Sequence, residues 1–278
     1  PILLLGCLSI LFAEIFSGAS RTWFASGWGV LITFPLYLSH VLFFLWIALK
    51  LEKVSLSQLY FFGTIFALYE SWITKVLWAG YSGSGTGLGT VLGIGIAEFP
   101  VLVLFWHPIT SFILPILVFE ILTGKILKGH DTILQKSTAK TAIIVSFLIS
   151  ISTFIARGNG FNLASANASL IGTLLLILGA YYLSKKSNLM VFGFSKIKFI
   201  LISIYLLLLY AGGFVLLYPE RMPQTLTPYL SIIISYIVLI SLIVKSKKVA
   251  TEFTDQNECR YSIKDLIVFA LITILSSN

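Results

Sequence analysis

The sequence predicts an all-α integral membrane protein, a polytopic bundle of about nine transmembrane helices with a glycine-rich re-entrant or interfacial segment near residues 83–99. Three observations carry this. Mean hydropathy is +0.98 and only 11% of the residues are charged, against roughly a quarter in soluble domains. A soluble core of 278 residues does not hide so much apolar surface, so the solvent is lipid. Apolar runs of membrane-crossing length recur along the chain, and basic residues gather in alternate loops.

A spanning helix needs about 20 apolar residues. Such runs lie at about 1–19, 25–49, 59–80, 100–124, 139–156, 164–184, 199–218, 229–244 and 266–278, the last of them short. The first run has no basic region before it and no A-x-A site after it, so no cleavable signal is expected.

Loop charge then orients the chain. Lys50 and Lys53 follow the second run, and Lys125, Lys128, Lys136 and Lys140 the fourth. Lys185, Lys186, Lys196 and Lys198 follow the sixth, and Lys245, Lys247 and Lys248 the eighth. Cytoplasmic loops are the basic ones, so the N-terminus is expected in the cytoplasm and the C-terminus outside, in a cell membrane. The net charge of +8 is explained by these lysines, and nucleic acid is not an expected partner.

The same bookkeeping constrains the stretch 69–120, where charges and prolines crowd. Residues 86–124 are long enough for two spans, but two would put the lysines at 50–53 and 125–140 on opposite sides. One span plus a piece that enters and leaves from outside keeps every basic cluster together. Seven glycines between Gly80 and Gly95 also oppose a helix there, each costing about 1 kcal/mol relative to alanine. The following span is expected to break near Pro100 and Pro108.

Residues 1–124 hold the polar candidates, 125–140 form a basic loop, and 141–278 resemble an apolar scaffold. Four of the eleven acidic residues, Glu14, Glu70, Glu98 and Glu120, lie in spans or the re-entrant piece. A charged side chain there costs about 2.5–3.5 kcal/mol on insertion scales, which makes it a functional candidate. The bland alternative is an interfacial residue or a structural ion pair.

The candidate catalytic residues are Glu70, Glu98 and His107. Glu70 is too short to snorkel. Glu98 precedes Phe99-Pro100, where freed N–H groups meet a carboxylate, although a simple cap explains it equally. His107 is a potential base, proton relay or metal ligand, or a histidine bonded to a backbone carbonyl. In a straight helix Glu98 and His107 face opposite sides, so they share a site only if the proline breaks turn them inward. Glu14, Trp72 and Trp106 are candidate substrate-binding residues, the tryptophans lining a pocket for an acyl, prenyl or other bulky group. An interfacial aromatic belt is the competing explanation for the tryptophans.

Glu70, Glu98 and His107 suit a hard or borderline divalent metal ion as cofactor. No HExxH or Asp-rich motif supports it. The spans contain no Asp and no GxSxG, and GYSGSGTGLG lacks the lysine of a phosphate loop. Lys75 is expected to snorkel, Arg21 to anchor at the interface, His40 to be structural, and Glu120 to pair with Lys125 or Lys128. Cys7 and Cys259 form neither a disulfide framework nor a metal motif.

Three functions follow. The favoured one is an enzyme acting on a lipid or other membrane-embedded substrate at an intramembrane site open to the outer side. The alternatives are a proton- or cation-coupled small-molecule transporter and a non-catalytic subunit of a larger complex.

Overall fold

The computed structural model describes residues 1–81, 85–185, 187–192 and 195–278. Residues 83 and 84 of the glycine segment, and Lys186 among the loop lysines, lie outside the described residues. The protein is mostly helical. Among the described residues, six helices are long and apolar enough to cross a membrane. They are α2 (Gly29–Leu51), α6 (Phe99–Thr123), α8 (Thr138–Gly158), α9 (Leu163–Ser184), α10 (Lys196–Leu216) and α11 (Thr227–Lys245). Their outer faces are bare hydrocarbon: Leu207, Leu208 and Leu216 on α10 are 70%, 67% and 79% exposed, as a lipid-facing surface requires.

Shorter helices fill the remaining runs. These are α1 (Ile2–Ile15), α3 (Leu56–Ala67), α4 (Tyr69–Trp72), α5 (Val76–Ala79), α7 (Asp131–Leu134) and α12 (Ile263–Ser276). Local chemistry sets several starts. Ser55 and Gln58 form a reciprocal capping box for α3, and Ser262 with Asp265 does so for α12. Ser137, Asn162 and Ser195 each accept a backbone N–H at the starts of α8, α9 and α10. Each satisfies an amide that the helix leaves without a partner.

Two expectations are corrected. Residues 59–80 are not one continuous span: α3, α4 and α5 are separated around Leu68 and at Ile73–Lys75. The Thr74 hydroxyl bonds back to the Glu70 carbonyl at 2.9 Å, and Lys75 takes a left-handed conformation with φ 58°. Side-chain bonds of this kind compete with helix bonds.

The breaks expected at Pro100 and Pro108 do not occur. Helix α6 runs unbroken, and its first part, Phe99–Ile113, is wound as a π-helix with Pro108 inside. Pro100 lies in the first turn, where its missing N–H costs nothing. In π winding Pro108 removes only the N–H that would reach the Val103 carbonyl, and the helix continues past it. The neighbouring Leu104 carbonyl accepts the Tyr60 hydroxyl at 2.6 Å.

The described part of the glycine segment, which was expected to be non-helical, holds a β-hairpin. Strand β1 (Thr90–Val91) pairs antiparallel with β2 (Ile94–Gly95), Val91 opposite Ile94. Leu92 and Gly93 turn it with φ of 52° and 75°, the doubly positive pattern of a tight hairpin turn.

Contacts divide the chain into two compact units that interleave in sequence and cut across the polar and apolar halves. The first comprises Pro1–Val41, Leu114–Gly193 and Ala250–Asn278, and the second Leu42–Ile113 and Phe194–Val249. In the first, α1 packs on α9 and on the end of α6, and α12 packs on α8. Strands β3 (Lys125–Leu127) and β4 (Phe253–Asp255) tie two loops together antiparallel. In the second unit, α3 packs along the π-helical part of α6, and α11 packs on α3. Gly63 permits that approach, because a Cβ there would lie 2.7 Å from Pro108 Cα.

Candidate functional site

Two segments of the second unit build a buried, hydrogen-bonded polar group. Glu70 stands on the single turn of α4. His107 and Ser111 stand four residues apart on α6, on one helix face. His107 Nε2 lies 2.8 Å from Glu70 Oε1, and Nδ1 lies 3.0 Å from Ser111 Oγ. The Thr74 hydroxyl also donates to Glu70 Oε2. The Tyr69 hydroxyl stands 3.5 Å from His107 Nε2, its ring edge-on to the imidazole. Glu70, His107 and Ser111 are 7%, 2% and 0% exposed.

This arrangement has a definite proton logic. When Glu70 is ionised it only accepts, so Nε2 carries the proton and Nδ1 accepts from Ser111. A further proton makes the pair neutral overall, either as carboxylic acid with imidazole or as carboxylate with imidazolium. Ser111 reverses its hydroxyl in either case. Two protonation states are thus accommodated by reorienting one hydroxyl.

Tyr210 links Glu70 to a set of aromatic polar groups. Trp72 Nε1 donates to the Tyr236 hydroxyl at 3.2 Å. The Tyr236 and Tyr210 hydroxyls are bonded to each other, and Tyr210 interacts electrostatically with Glu70. Trp72 and Trp106 both pack against the buried cluster of Leu68, Leu77, Trp78 and Val103.

The other sequence candidates are placed elsewhere. Glu98 does not join Glu70 and His107. Its Oε1 accepts the Gly87 N–H at 3.2 Å, and its Oε2 is buried without a partner. The ligand set Glu70, Glu98 and His107 is therefore not assembled. Among the described residues, no three His, Cys, Asp or Glu side chains are grouped to hold a metal ion. Glu14 belongs to the first unit, held by Ser20 Oγ at 2.6 Å and Tyr37 Oη at 2.5 Å. His40 Nδ1 bonds the Leu36 carbonyl at 2.7 Å, and Arg21 Nε the Gly158 carbonyl at 2.6 Å.

Two further expectations are corrected. Glu120 is fully buried and bonds His130 Nδ1 at 2.9 Å, while Lys125 and Lys128 turn to Asp255 and Glu252 on the facing strand segment. Lys75 does not snorkel. It is fully buried, and its ammonium bonds the Gly213 carbonyl at 2.5 Å, the Phe214 carbonyl at 2.9 Å and the Leu217 carbonyl. A cation at a helix C-terminus is favourable there, meeting carbonyls left without partners.

Ser111 and Thr74 were not among the sequence candidates, although each lies four residues after one and so on the same face. Tyr236 and Tyr210 gave no such signal, since their approach comes from folding.

Residues 3–278 match the model of a family described as an uncharacterized membrane protein family. The chain belongs to that family. A protein of Archaeoglobus fulgidus, described as an uncharacterized protein, is 37% identical over 151 residues, covering 52% of this chain and 47% of that protein. The matched region is thus about half the length of that relative. No solved structure matches the chain. Family membership and the six apolar helices make this a multi-pass membrane protein.

Proposed function

We propose that this protein is a proton-coupled membrane transporter of small solutes and that Glu70 and His107 form its proton-loading pair. The observation that carries this reading is the 2.8 Å contact between two titratable groups at least nine-tenths buried. An ionisable pair in such a setting is expensive, and a proton is the ligand that needs least space to reach it. Winding of the His107 segment as a π-helix supports it, since such bulges are frequent at functional sites.

The membrane arrangement belongs to the same proposal. Helix α1, the α3–α5 segment and α12 are shorter crossings, giving nine in all. The described part of the glycine segment, residues 85–99, lies at the outer side of a cell membrane, with the N-terminus in the cytoplasm and the C-terminus outside. The site then opens outward, with Trp72 and Trp106 lining the solute path.

Infrared difference spectroscopy on the purified protein across a pH titration tests the pair. The expected result is a protonated-carboxyl band that vanishes in Glu70→Gln and shifts in His107→Phe. In proteoliposomes carrying a lumenal pH dye, an acid jump outside should acidify the interior faster with the wild type than with Glu70→Gln. Absence of the band and identical fluxes overturn the reading.

One observation favours a second reading. Carboxylate, imidazole and the Ser111 hydroxyl form a line that also suits nucleophilic catalysis on a membrane-embedded ester or amide. Covalent labelling of Ser111 by a fluorophosphonate, lost in Ser111→Ala and His107→Phe, would favour that enzyme.

A further inference from the structure

Glu98 presents a different problem from Glu70. Its residue is 6% exposed. One carboxylate oxygen has a single backbone donor, Gly87 N–H at 3.2 Å. The other, Oε2, is buried with no hydrogen-bond partner. Among the described residues, no Lys, Arg or His forms an ion pair with it. Glu98 immediately precedes α6, yet the bond it makes reaches across to the glycine segment and not into that helix.

The surroundings are built of main chain. A Cβ on Gly95 would stand 2.2 Å from Oε2 and 3.1 Å from the Thr86 methyl, so the carboxylate lies directly on the Gly95 backbone with Thr86 beside it. The hairpin's own side chains turn outward: Leu88, Val91 and Leu92 are 69%, 60% and 66% exposed. The Glu98 carboxyl is thus buried against main chain, with one oxygen that has no partner among the described residues. Leaving its charge bare is costly.

We propose that Glu98 and the glycine-rich loop around it form a binding site for a monovalent alkali cation, with sodium the natural size. One carboxylate supplies one negative charge, which a monovalent ion neutralises. A divalent ion would keep a net positive charge beside this one carboxylate, and among the described residues no group of three His, Cys, Asp or Glu side chains offsets it. Imidazole and thiolate ligands, which select softer metals, have no place in the set. The further oxygen ligands in this proposal are main-chain carbonyls of residues 85–95 and the hydroxyl of Thr86, whose methyl lies beside Gly95. Unwound backbone next to a helix start is the setting in which membrane transporters bind such ions. Gly95 lets the backbone lie this close to the carboxylate, since a Cβ there would meet Oε2 at 2.2 Å.

The site does not depend on the Glu70–His107 reading, and the test separates them. Thermal unfolding of the purified wild type is followed by intrinsic fluorescence while sodium chloride replaces choline chloride at constant ionic strength. A ligand that binds only the folded state raises Tm in a saturable way. The expected rise is about 5 °C when sodium exceeds its dissociation constant about 100-fold. Glu98→Gln should lose the rise and Glu70→Gln should keep it.

A wild type indifferent to sodium, or an equal rise in Glu98→Gln, overturns the proposal. A neutral, protonated Glu98 with no bound ion gives that indifferent result. If Glu98→Gln does not fold, radiosodium binding to the wild type decides. About one ion per chain, displaced by unlabelled sodium and not by choline, supports the site, and no displaceable binding refutes it.

Discussion

Glu70 Oε1 and His107 Nε2 stand 2.8 Å apart, joining a one-turn helix to a π-helical stretch 37 residues later. Each is the other's main compensation for burial, so removing one leaves the second exposed to its full desolvation cost. Glu70→Gln and His107→Phe should each lower stability by about 1–3 kcal/mol. The double variant should cost less than the sum, because the interaction is lost only once. Equilibrium unfolding of the four proteins in mixed micelles measures the coupling. Strict additivity would mean that the two side chains do not interact.

Tyr60 and Pro108 make a second dependent pair. The Tyr60 hydroxyl bonds the Leu104 carbonyl, inside the π-wound stretch that holds Pro108. Tyr60→Phe should cost up to about 1 kcal/mol, the worth of a typical net hydrogen bond in a membrane protein. In a Pro108→Ala background the residue-108 N–H is restored, α winding becomes possible, and the Leu104 carbonyl turns away from Tyr60. The cost of Tyr60→Phe should then largely disappear. An undiminished cost would show that Tyr60 acts through packing alone. The same Pro108→Ala change should lower proton uptake, since a shift from π to α winding rotates His107 relative to Glu70.

These pairs explain what the sequence could and could not disclose. Helices α8 to α11 end within a few residues of the apolar runs, because each faces lipid over most of its surface and hydropathy is then almost the only force acting. The 59–80 run was less legible. It looks continuous in hydropathy, but Thr74 bonds back to Glu70 and Lys75 turns to carbonyls of α10 and the residue beyond it, more than 130 residues away. Pro108 looks like a break, but π winding carries the helix through it. Burial cost marks Glu70 and His107 in the sequence, yet their approach is a property of the fold. Ser111 and Thr74 were within reach by i+4 spacing. Glu120 was misjudged because its partner, His130, is an uncharged-looking loop residue and the nearer lysines find acids on β4 and just before it.

Lys75 carries the third prediction. Its fully buried ammonium meets three carbonyls at the end of α10, and it also lies 5.7 Å from the centre of the Phe214 ring. Lys75→Met keeps the aliphatic stem and removes only the donors. It should cost about 1–3 kcal/mol, the desolvation cost of acceptors left unmatched. Lys75→Arg should recover little, because a planar guanidinium does not reproduce three converging donors. Hydrogen exchange should report the loss first at Gly213–Leu217. A Lys75→Met protein with wild-type stability and protection would make the carbonyl contacts incidental.

Arg260 organises the loops of the first unit. Its guanidinium lies 2.7 Å from Asp131, donates to the Asp255 carbonyl at 2.8 Å and to Thr254 Oγ1 at 3.1 Å, and its residue is only 9% exposed. Asp131 is more open, with 28% of its side chain exposed, so solvent offsets part of its loss. Arg260→Met should thus cost about 1–2 kcal/mol, below the 3–5 kcal/mol typical of breaking a fully buried pair. Arg260→Lys should restore the charge but not the forked contacts to strand β4 and Asp131. The structural signature is specific: amide protection should fall at Lys125–Leu127 and Phe253–Asp255, where the two strands pair, and remain at α8. Uniform loss of protection through α8 would mean that Arg260 supports the whole unit and not the loop clasp alone.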